Sequence, residues 1–167
     1  MDKVVIRRAE LRDAGAMSAY VGDIVAESLD TIALDRLISP EEEVDYLRKI
    51  EAAERAFFML ALDGERVVGM LDIWAGGRAN DRHAGRLGMS VARDWRGRGV
   101  GRRLMQAAIA EARKWDGFRR IELDVVSWNE PAIALYESLG FVVEGRREKA
   151  INLRGEPEDT LLMALVW

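Results

Sequence analysis

The chain has 167 residues, 49% of them hydrophobic and 32% charged, which is typical of one globular domain, expected to span residues 1–167. With no cysteine and a single histidine, it excludes disulfides, cysteine nucleophiles and thiolate or multi-histidine metal sites; a carboxylate magnesium or calcium site stays open, although no metal is expected. The net charge of −4 gives no overall basic field for nucleic acid, and no segment resembles a signal peptide or membrane span, so we expect a cytoplasmic protein without nucleic-acid or membrane partners.

The first part of the chain predicts a strand and two helices. Apolar residues indicate a short strand at 4–7, and apolar side chains at helical spacing indicate a helix at 13–27. Residues 29–38 fit either a short helix or a loop. Ser39 and Pro40 are typical of a helix start with acids in the first turn, and Val44, Leu47 and Ile50 form the predicted apolar stripe of that helix.

The remaining two thirds predict a hairpin followed by alternating strands and helices. The hairpin strands are 56–62 and 66–74, joined by a turn at Asp63-Gly64-Glu65. Further elements are a polar loop at 76–82, strands at 86–91 and 120–126, helices at 100–115 and 130–139, and two terminal strands at 141–153 and 160–167 around a turn at 154–157. Ser127 and Glu130 spell a capping box. The element order predicts a mixed α/β domain built on one sheet.

A glycine-rich turn between strand 86–91 and helix 100–115 predicts an anion site. It reads Arg96-Gly-Arg-Gly-Val-Gly-Arg102, and its three glycines permit positive φ and close approach of a ligand to the main chain. The N–H groups at a helix start have no intrahelical partner and lie at the positive end of the helix dipole. Arginines 96, 98, 102 and 103 surround this end, so the segment predicts a phosphate or pyrophosphate site.

The spacing of this turn differs from two common nucleotide-binding motifs. A P-loop has Lys followed by Ser or Thr after its last glycine, where this chain has Arg102-Arg103, and a dinucleotide fingerprint is one residue longer. The pattern Arg96-x-x-Gly99-x-Gly101 instead resembles the pyrophosphate loop of the GCN5-related N-acetyltransferases (GNAT), which bind acetyl-CoA. The alternative is a glycine-rich turn whose arginines are merely solvated.

A second segment resembles the same family. It reads Ser127-Trp-Asn-Glu-Pro-Ala-Ile-Ala-Leu-Tyr-Glu-Ser-Leu-Gly-Phe141, with Asn129-x-x-Ala132 followed by Tyr136-x-x-x-Gly140-Phe141. Both motifs occur in the order of the family. Residues 83–91 and 152–159 further resemble its bacterial branch of small-amine and amino-acid N-acetyltransferases. The resemblance implies a central, mostly antiparallel sheet with one splayed strand pair, flanked by about four helices.

The resemblance also implies which residues hold acetyl-CoA. Main-chain groups of Met89, Ser90 and Val91 would pair with the pantetheine arm like an added strand. The pyrophosphate would lie on the main chain of the glycine-rich turn, formed by Arg96, Gly97, Arg98, Gly99, Val100, Gly101 and Arg102. Asn129 would hydrogen-bond the cofactor arm, and Tyr136 would lie beside the thioester sulfur.

The expected chemistry is direct attack of an amine on the thioester carbonyl. Tyr136 is the predicted general acid, since a phenol carries its proton at neutral pH; its alternative role is that of a helix-core aromatic. A backbone N–H near Val91 would stabilise the oxyanion. Asp124 or its neighbour Glu122 is the candidate base, and His83 suits a proton relay or is simply solvated. A dedicated base can also be absent.

The acceptor is expected to be a small primary amine, such as an amino acid or polyamine. Acids around the first helices can attract a cation or can form a solvated face: Glu27, Asp30, Asp35, Glu41, Glu42 and Glu43. A protein or peptide N-terminus is the alternative acceptor. Alternatives of another class are a non-catalytic acyl-CoA sensor and an interaction domain. The apolar terminal strands either form a homodimer or finish the monomer sheet.

Overall fold

A computed structural model describes residues 4–27 and 36–167, so most of the segment 29–38 lies outside the described residues. The elements in chain order are β1 (Val5–Arg8), a 3-10 turn (Leu11–Asp13), α1 (Ala14–Ala26), α2 (Pro40–Ala52), β2 (Ala56–Asp63), β3 (Arg66–Ala75), β4 (Ala84–Val91), a second 3-10 turn (Arg93–Trp95), α3 (Val100–Ala112), β5 (Arg120–Val126), α4 (Glu130–Ser138), β6 (Val142–Leu153) and β7 (Glu156–Val166). The predicted mixed α/β architecture is confirmed.

The strands form one sheet in the order β1-β2-β3-β4-β5-β7-β6. Every neighbouring pair is antiparallel except β4 and β5, which run parallel. That parallel pair is short, since it begins at Ala84 opposite Arg120 and ends at Arg86 opposite Glu122. Beyond Arg86 the two strands diverge, which confirms the predicted splayed pair and leaves one edge of β4 without a strand partner among the described residues.

Helices cover both faces of the sheet, and β3 shows which face each helix covers. A Cβ built on Gly69 would lie 3.0 Å from Leu104 of α3, so this residue faces α3. Because side chains alternate along a strand, Leu71 and Ile73 share that face. Asp72 points the other way, where the Tyr46 hydroxyl of α2 contacts it. The sheet therefore separates an α3 side from an α1–α2 side.

Two predicted turns differ in detail from the structure. The predicted capping box of α4 is wrong because the helix begins at Glu130, with Asn129 as its N-cap; the Asn129 Oδ1 accepts from the Ala132 N–H at 3.4 Å. The turn predicted at 154–157 is shorter, because Glu156 already pairs with Leu153. Arg154 and Gly155 have φ of 53° and 85°, the conformation that a two-residue hairpin requires.

Candidate active site

The splayed strands open a cleft of about 730 Å³, here called the β4–β5 cleft. One wall is the diverging end of β4, the other is Leu123 to Val126 of β5, and the glycine-rich turn and the start of α4 close the remaining sides. The cleft brings together most of the predicted site residues: Met89, Ser90, Val91, Arg96, Gly97, Gly99, Val100, Gly101, Arg102, Asp124, Asn129 and Tyr136. Arg98 lies outside this lining, with its guanidinium 5.3 Å from the Trp95 ring centroid.

The main chain of β4 presents hydrogen-bonding groups to this cleft. The Ala92 N–H donates to the Val68 carbonyl of β3 at 3.0 Å. In an antiparallel pair such bonds alternate, so the register directs the main-chain groups of Ser90 toward β3 and those of Met89 and Val91 toward the opposite edge. That is the edge from which β5 diverges beyond Arg86. An extended ligand can therefore pair with Met89 and Val91 as an added strand.

The glycine-rich turn has the geometry of an anion site. Gly97 and Gly99 have φ of 70° and 80°, and a Cβ on either would meet no atom within 4 Å, so the space beside them is open. No side chain caps α3, and the Arg103 N–H makes the first helical bond, to the Gly99 carbonyl at 3.1 Å. The preceding amides, from Val100 on, therefore have no helical acceptor and fit a pyrophosphate.

The arginine side chains brace this turn. The Arg96 guanidinium donates to the Val91 carbonyl at 2.9 Å and to the Glu27 carboxylate at 2.8 Å. The Arg102 guanidinium donates to the Ser138 hydroxyl of α4 at 2.8 Å. These bonds fix the turn against α1, β4 and α4. The main-chain amides are thus the groups best placed to contact an anion, with the arginine charges close behind them.

Tyr136 lies at the cleft and in the core at once. Its side chain lines the β4–β5 cleft, it is only 7% exposed, and its ring centroid is 5.9 Å from that of Phe141. Burial raises the pKa of the phenol to about 12, because the anion would lose its solvation. Tyr136 therefore keeps its proton at any physiological pH and can donate it inside the cleft.

The three predicted proton acceptors are placed differently. Asp124 lines the cleft, but its oxygens are held by Arg86 and, at 2.6 Å, by Arg147. Glu122 is outside the cleft lining and accepts from Arg120 at 3.1 Å. His83 is exposed at the closed end of the β4–β5 pair, where its carbonyl accepts from the Arg119 N–H at 2.8 Å. His83 thus lies at the opposite end of β4 from the cleft.

A second cavity of about 560 Å³ lies on the α1–α2 side of the sheet, and the sequence interpretation missed it. We call it the α2 cavity. It shares Gly88, Met89 and Ser90 with the β4–β5 cleft, so the two spaces meet across β4. Its lining includes Asp72. A single acidic residue in the apolar strand β3 was the sequence signal that could have indicated this cavity. A Cβ on Gly88 would lie 2.9 Å from Asp72 Oδ1, so glycine leaves room there.

A hydrogen-bonded chain positions Asp72. Trp74 Nε1 donates to the Tyr46 hydroxyl at 2.7 Å, and this hydroxyl donates to Asp72 Oδ2 at 2.9 Å. Burial is the main cause that raises the pKa of Asp72 above its ordinary value. These hydrogen bonds join α2 to β3 and fix the orientation of the Asp72 carboxyl group in the cavity.

Glu43 is the second buried acid of the α2 cavity. It is 2% exposed, and among the described residues its Oε1 has no hydrogen-bond partner. Burial, and secondarily the charge of Glu42, raises its pKa to about 7. The buried stripe of α2 is Glu43, Leu47 and Ile50, whereas the predicted Val44 is half-buried. The i, i+4, i+7 spacing was the signal that places this acid on the inner face.

The other acids near the first helices lie elsewhere. Glu27 holds Arg96, Glu41 is exposed, and Glu42 accepts from the Ser39 N–H in a capping box at the start of α2. Asp30 and Asp35 lie outside the described residues. Of the predicted acids that the structure describes, Glu43 is therefore the one that is buried without a partner.

Comparison with known proteins identifies the class of enzyme. Residues 26–141 match the sequence model of the acetyltransferase (GNAT) family. The L-amino acid N-acetyltransferase AaaT of Escherichia coli (strain K12) is 32% identical over 99% of this chain and 99% of its own length. An N-alpha-acetyltransferase of Sulfurisphaera tokodaii is 30% identical over 80% of this chain and 83% of its own length. A GNAT-family acetyltransferase structure from Streptococcus pneumoniae has a TM-score of 0.92 at 30% identity, covering 99% of this chain and 100% of that chain.

The chain belongs to the GNAT acetyltransferase family, as its two motifs predicted. It is an N-acetyltransferase that depends on acetyl-CoA. Within residues 4–27 and 36–167, no helix is long and apolar enough to cross a membrane. Over the same residues, His, Asp and Glu side chains form no group of three or more that could hold a metal ion.

Proposed function

We propose that the enzyme acetylates the primary amine of a small molecule, with an amino acid as the first candidate. The observation that carries this proposal is the meeting of the β4–β5 cleft and the α2 cavity at Gly88, Met89 and Ser90. One strand then has a cofactor on one side and an acceptor on the other. The 32% identity to AaaT over nearly the whole chain supports an amino-acid acceptor.

The α2 cavity offers charged groups of both signs to an acceptor. Its lining includes the carboxylates Glu42, Glu43, Asp45 and Asp72 and the cationic Arg36 and Lys49, with Arg36 paired with Glu42 at 3.1 Å. An amino acid carries one group for each sign, an ammonium and a carboxylate. The preference for an amino acid over a polyamine therefore rests on the 32% identity to AaaT.

The residues of the β4–β5 cleft fit acetyl-CoA. The open glycine-rich turn would hold the pyrophosphate on its main-chain amides, while Met89 and Val91 would pair with the pantetheine amides and Asn129 would contact the same arm. When bound, acetyl-CoA supplies an acetyl group as a thioester whose C–S bond breaks as the C–N bond to the acceptor forms.

Two groups of the chain would assist the transfer. Tyr136, protonated at neutral pH, would donate a hydrogen bond and then its proton to the leaving sulfur. The Val91 N–H, directed into the cleft, would donate to the carbonyl oxygen as negative charge develops there. These roles are the ones the sequence motifs imply, and the placement of both groups beside the cleft supports them.

Thiol release from acetyl-CoA tests the proposed function. The purified protein is mixed with acetyl-CoA, a disulfide dye and a panel of amino acids, polyamines and short peptides. Because the chain has no cysteine, it adds no thiol of its own. We expect release with one or more amino acids. Release only with peptides would instead assign an N-terminal acetyltransferase, the activity named for the Sulfurisphaera tokodaii relative. Binding without release from any amine would overturn the proposal and favour an acyl-CoA sensor.

Three further predictions concern organisation. We propose that residues 1–167 form one acetyltransferase domain, since strands from both ends of the chain join the same sheet. A homodimer stays a prediction; exposed Val142 and Val143 on the edge strand β6 are its candidate contact. A cytoplasmic location also stays a prediction.

A further inference from the structure

We infer that Glu43 is the general base of the reaction, taking a proton from the ammonium of the acceptor in the α2 cavity. This inference rests on the proposed function, because it assigns a role within the proposed acceptor site. It also replaces Asp124, a base that the sequence suggested, with a residue of α2 on the same side of the sheet.

The burial of Glu43 without a partner is the first argument. It is 2% exposed, and among the described residues no donor meets its Oε1. A buried carboxylate is strongly destabilising unless a cation or donor compensates it, or unless it is protonated. A protein that keeps such a group gains a proton acceptor of raised basicity, ready for a cationic ligand.

The position of Glu43 is the second argument. It lines the cavity that meets the β4–β5 cleft at Gly88, Met89 and Ser90. An acceptor in this cavity would approach β4 from the face opposite α3, which is where an attacking amine must come from if the acetyl group lies along β4. Glu43 thus contacts the same space as the attacking nitrogen.

The other acids of the site are already engaged. Asp124 differs from Glu43 in its charge partners: it forms ion pairs with Arg86 and, through Oδ1 at 2.6 Å, with Arg147, although Oδ1 accepts no hydrogen bond from the described residues. Asp72 Oδ2 accepts from the Tyr46 hydroxyl, which favours a role in orienting the acceptor. Glu43 has no such engagement with the described residues.

The groups that face Glu43 leave its proton affinity high. The charged or titratable side chains of the cavity are Arg36, Glu42, Asp45, Tyr46, Lys49 and Asp72. From α1 and β2 the cavity receives the apolar Val21 and Phe58. Arg36 is paired with Glu42 at 3.1 Å, so it does not neutralise Glu43. Burial and acidic neighbours therefore both favour uptake of a proton by Glu43.

The protons and bonds of the proposed acetyl transfer balance. The acceptor ammonium gives one proton to the Glu43 carboxylate, which later releases it to solvent. The freed nitrogen lone pair forms the C–N bond, and the C–S bond breaks with its electron pair going to sulfur. Tyr136 gives that sulfur a proton and regains one from the nitrogen as the amide forms. The products are an N-acetylated acceptor, a free thiol and one proton in solution.

The test compares Glu43→Gln with Glu41→Gln across pH. Glu41 is exposed on the same helix and outside the cavity lining. Its substitution therefore removes the same charge at a position that has no role in the proposed acceptor site. Initial rates are measured with saturating acetyl-CoA and the best acceptor from about pH 5 to pH 9. We expect Glu43→Gln to lower kcat about a hundredfold at the alkaline end, because a general base contributes on this scale. The deficit should shrink toward pH 5, where Glu43 of the wild type is protonated too.

The outcomes separate this inference from the proposed function. A Glu43→Gln rate equal to wild type, or a deficit that does not change with pH, would overturn the role of Glu43 while leaving acetyl transfer intact. An inactive wild type would overturn both proposals. Acetyl-CoA affinity and the melting temperature are measured for each variant. If Glu43→Gln does not fold, Glu43→Asp carries the test: it should keep the pH dependence at reduced kcat, and loss of that dependence would contradict the inference.

Discussion

The β4–β5 cleft and the α2 cavity share one strand but are built from different parts of the chain. The groups of the cleft that we propose for cofactor binding are largely main chain: the strand edge at Met89 and Val91 and the open turn at Gly97 and Gly99. The cavity is formed by side chains from separate elements, with Glu43 and its neighbours on α2 and Asp72 on β3. Main-chain groups suit a cofactor that is always the same molecule, whereas side chains suit an acceptor that differs from one enzyme to another.

This contrast has a consequence for substitution. Main-chain groups stay in place when most side chains change, so the cleft is sensitive mainly to changes at glycines, where space and positive φ are required. A side-chain site changes its charge and shape with any single replacement. We therefore expect cofactor binding to be altered at few positions and acceptor choice to be altered at many.

Gly99→Glu should have the largest effect on the cleft. The new side chain would need φ of 80° and would fill the open space with a negative charge where the pyrophosphate is expected. We expect acetyl-CoA binding to be lost, as measured by calorimetry or by a melting-temperature shift.

Gly117→Glu is the matched control for this substitution. Gly117 also has a positive φ, 70°, and a Cβ at this position would meet no atom within 4 Å, but the residue is not part of the cleft lining. The control should lose similar stability and bind acetyl-CoA normally. Normal binding by Gly99→Glu would show that the pyrophosphate lies elsewhere.

Tyr136→Phe should have the next largest effect and should separate chemistry from binding. The substitution keeps the ring beside Phe141 and removes only the hydroxyl. We expect kcat to fall about a hundredfold, the usual contribution of a general acid, with acetyl-CoA affinity unchanged. Since burial raises the pKa of Tyr136 to about 12, the wild type should show no alkaline loss from this group up to pH 10. An unchanged kcat would leave Tyr136 as a core aromatic alone.

Glu43→Gln should also act on stability, through the raised pKa of the buried carboxyl. In the folded, ligand-free protein the pKa of Glu43 is raised from 4.5 to about 7, so the folded state binds its proton more tightly than the unfolded state. The contribution of Glu43 to stability is present below pH 4.5 and is lost as pH rises through 7. Relative to wild type, the variant should gain up to about 3 kcal/mol in the free energy of unfolding between these pH values.

Urea denaturation at several pH values measures this difference. The exposed Glu41→Gln variant provides the baseline, since its side chain is not buried. A stability difference between Glu43→Gln and wild type that stays constant from pH 4.5 to pH 8 would show that the Glu43 carboxyl is not perturbed in the folded state.

Local sequence determined most of the elements and the cofactor side of the site. Strand β5 has the predicted bounds, and Ser39 caps α2 as its neighbours Pro40 and Glu42 indicate. Such signals are short-range: capping, alternation and glycine turns depend on residues a few positions apart. The glycine-rich turn and the strand before it are contiguous in the chain, which is why one motif predicted an anion site and also indicated the family.

The proposed acceptor site depends on tertiary structure alone. Residues 43, 46, 72 and 88 come from three elements, and their meeting depends on how α2 packs over β3 and β4. The same holds for Asp124, whose strand position suggested a base until Arg86 and Arg147 were seen to hold it. Charge and exposure are properties of the surroundings of a side chain, and distant segments supply those surroundings only when the chain is folded.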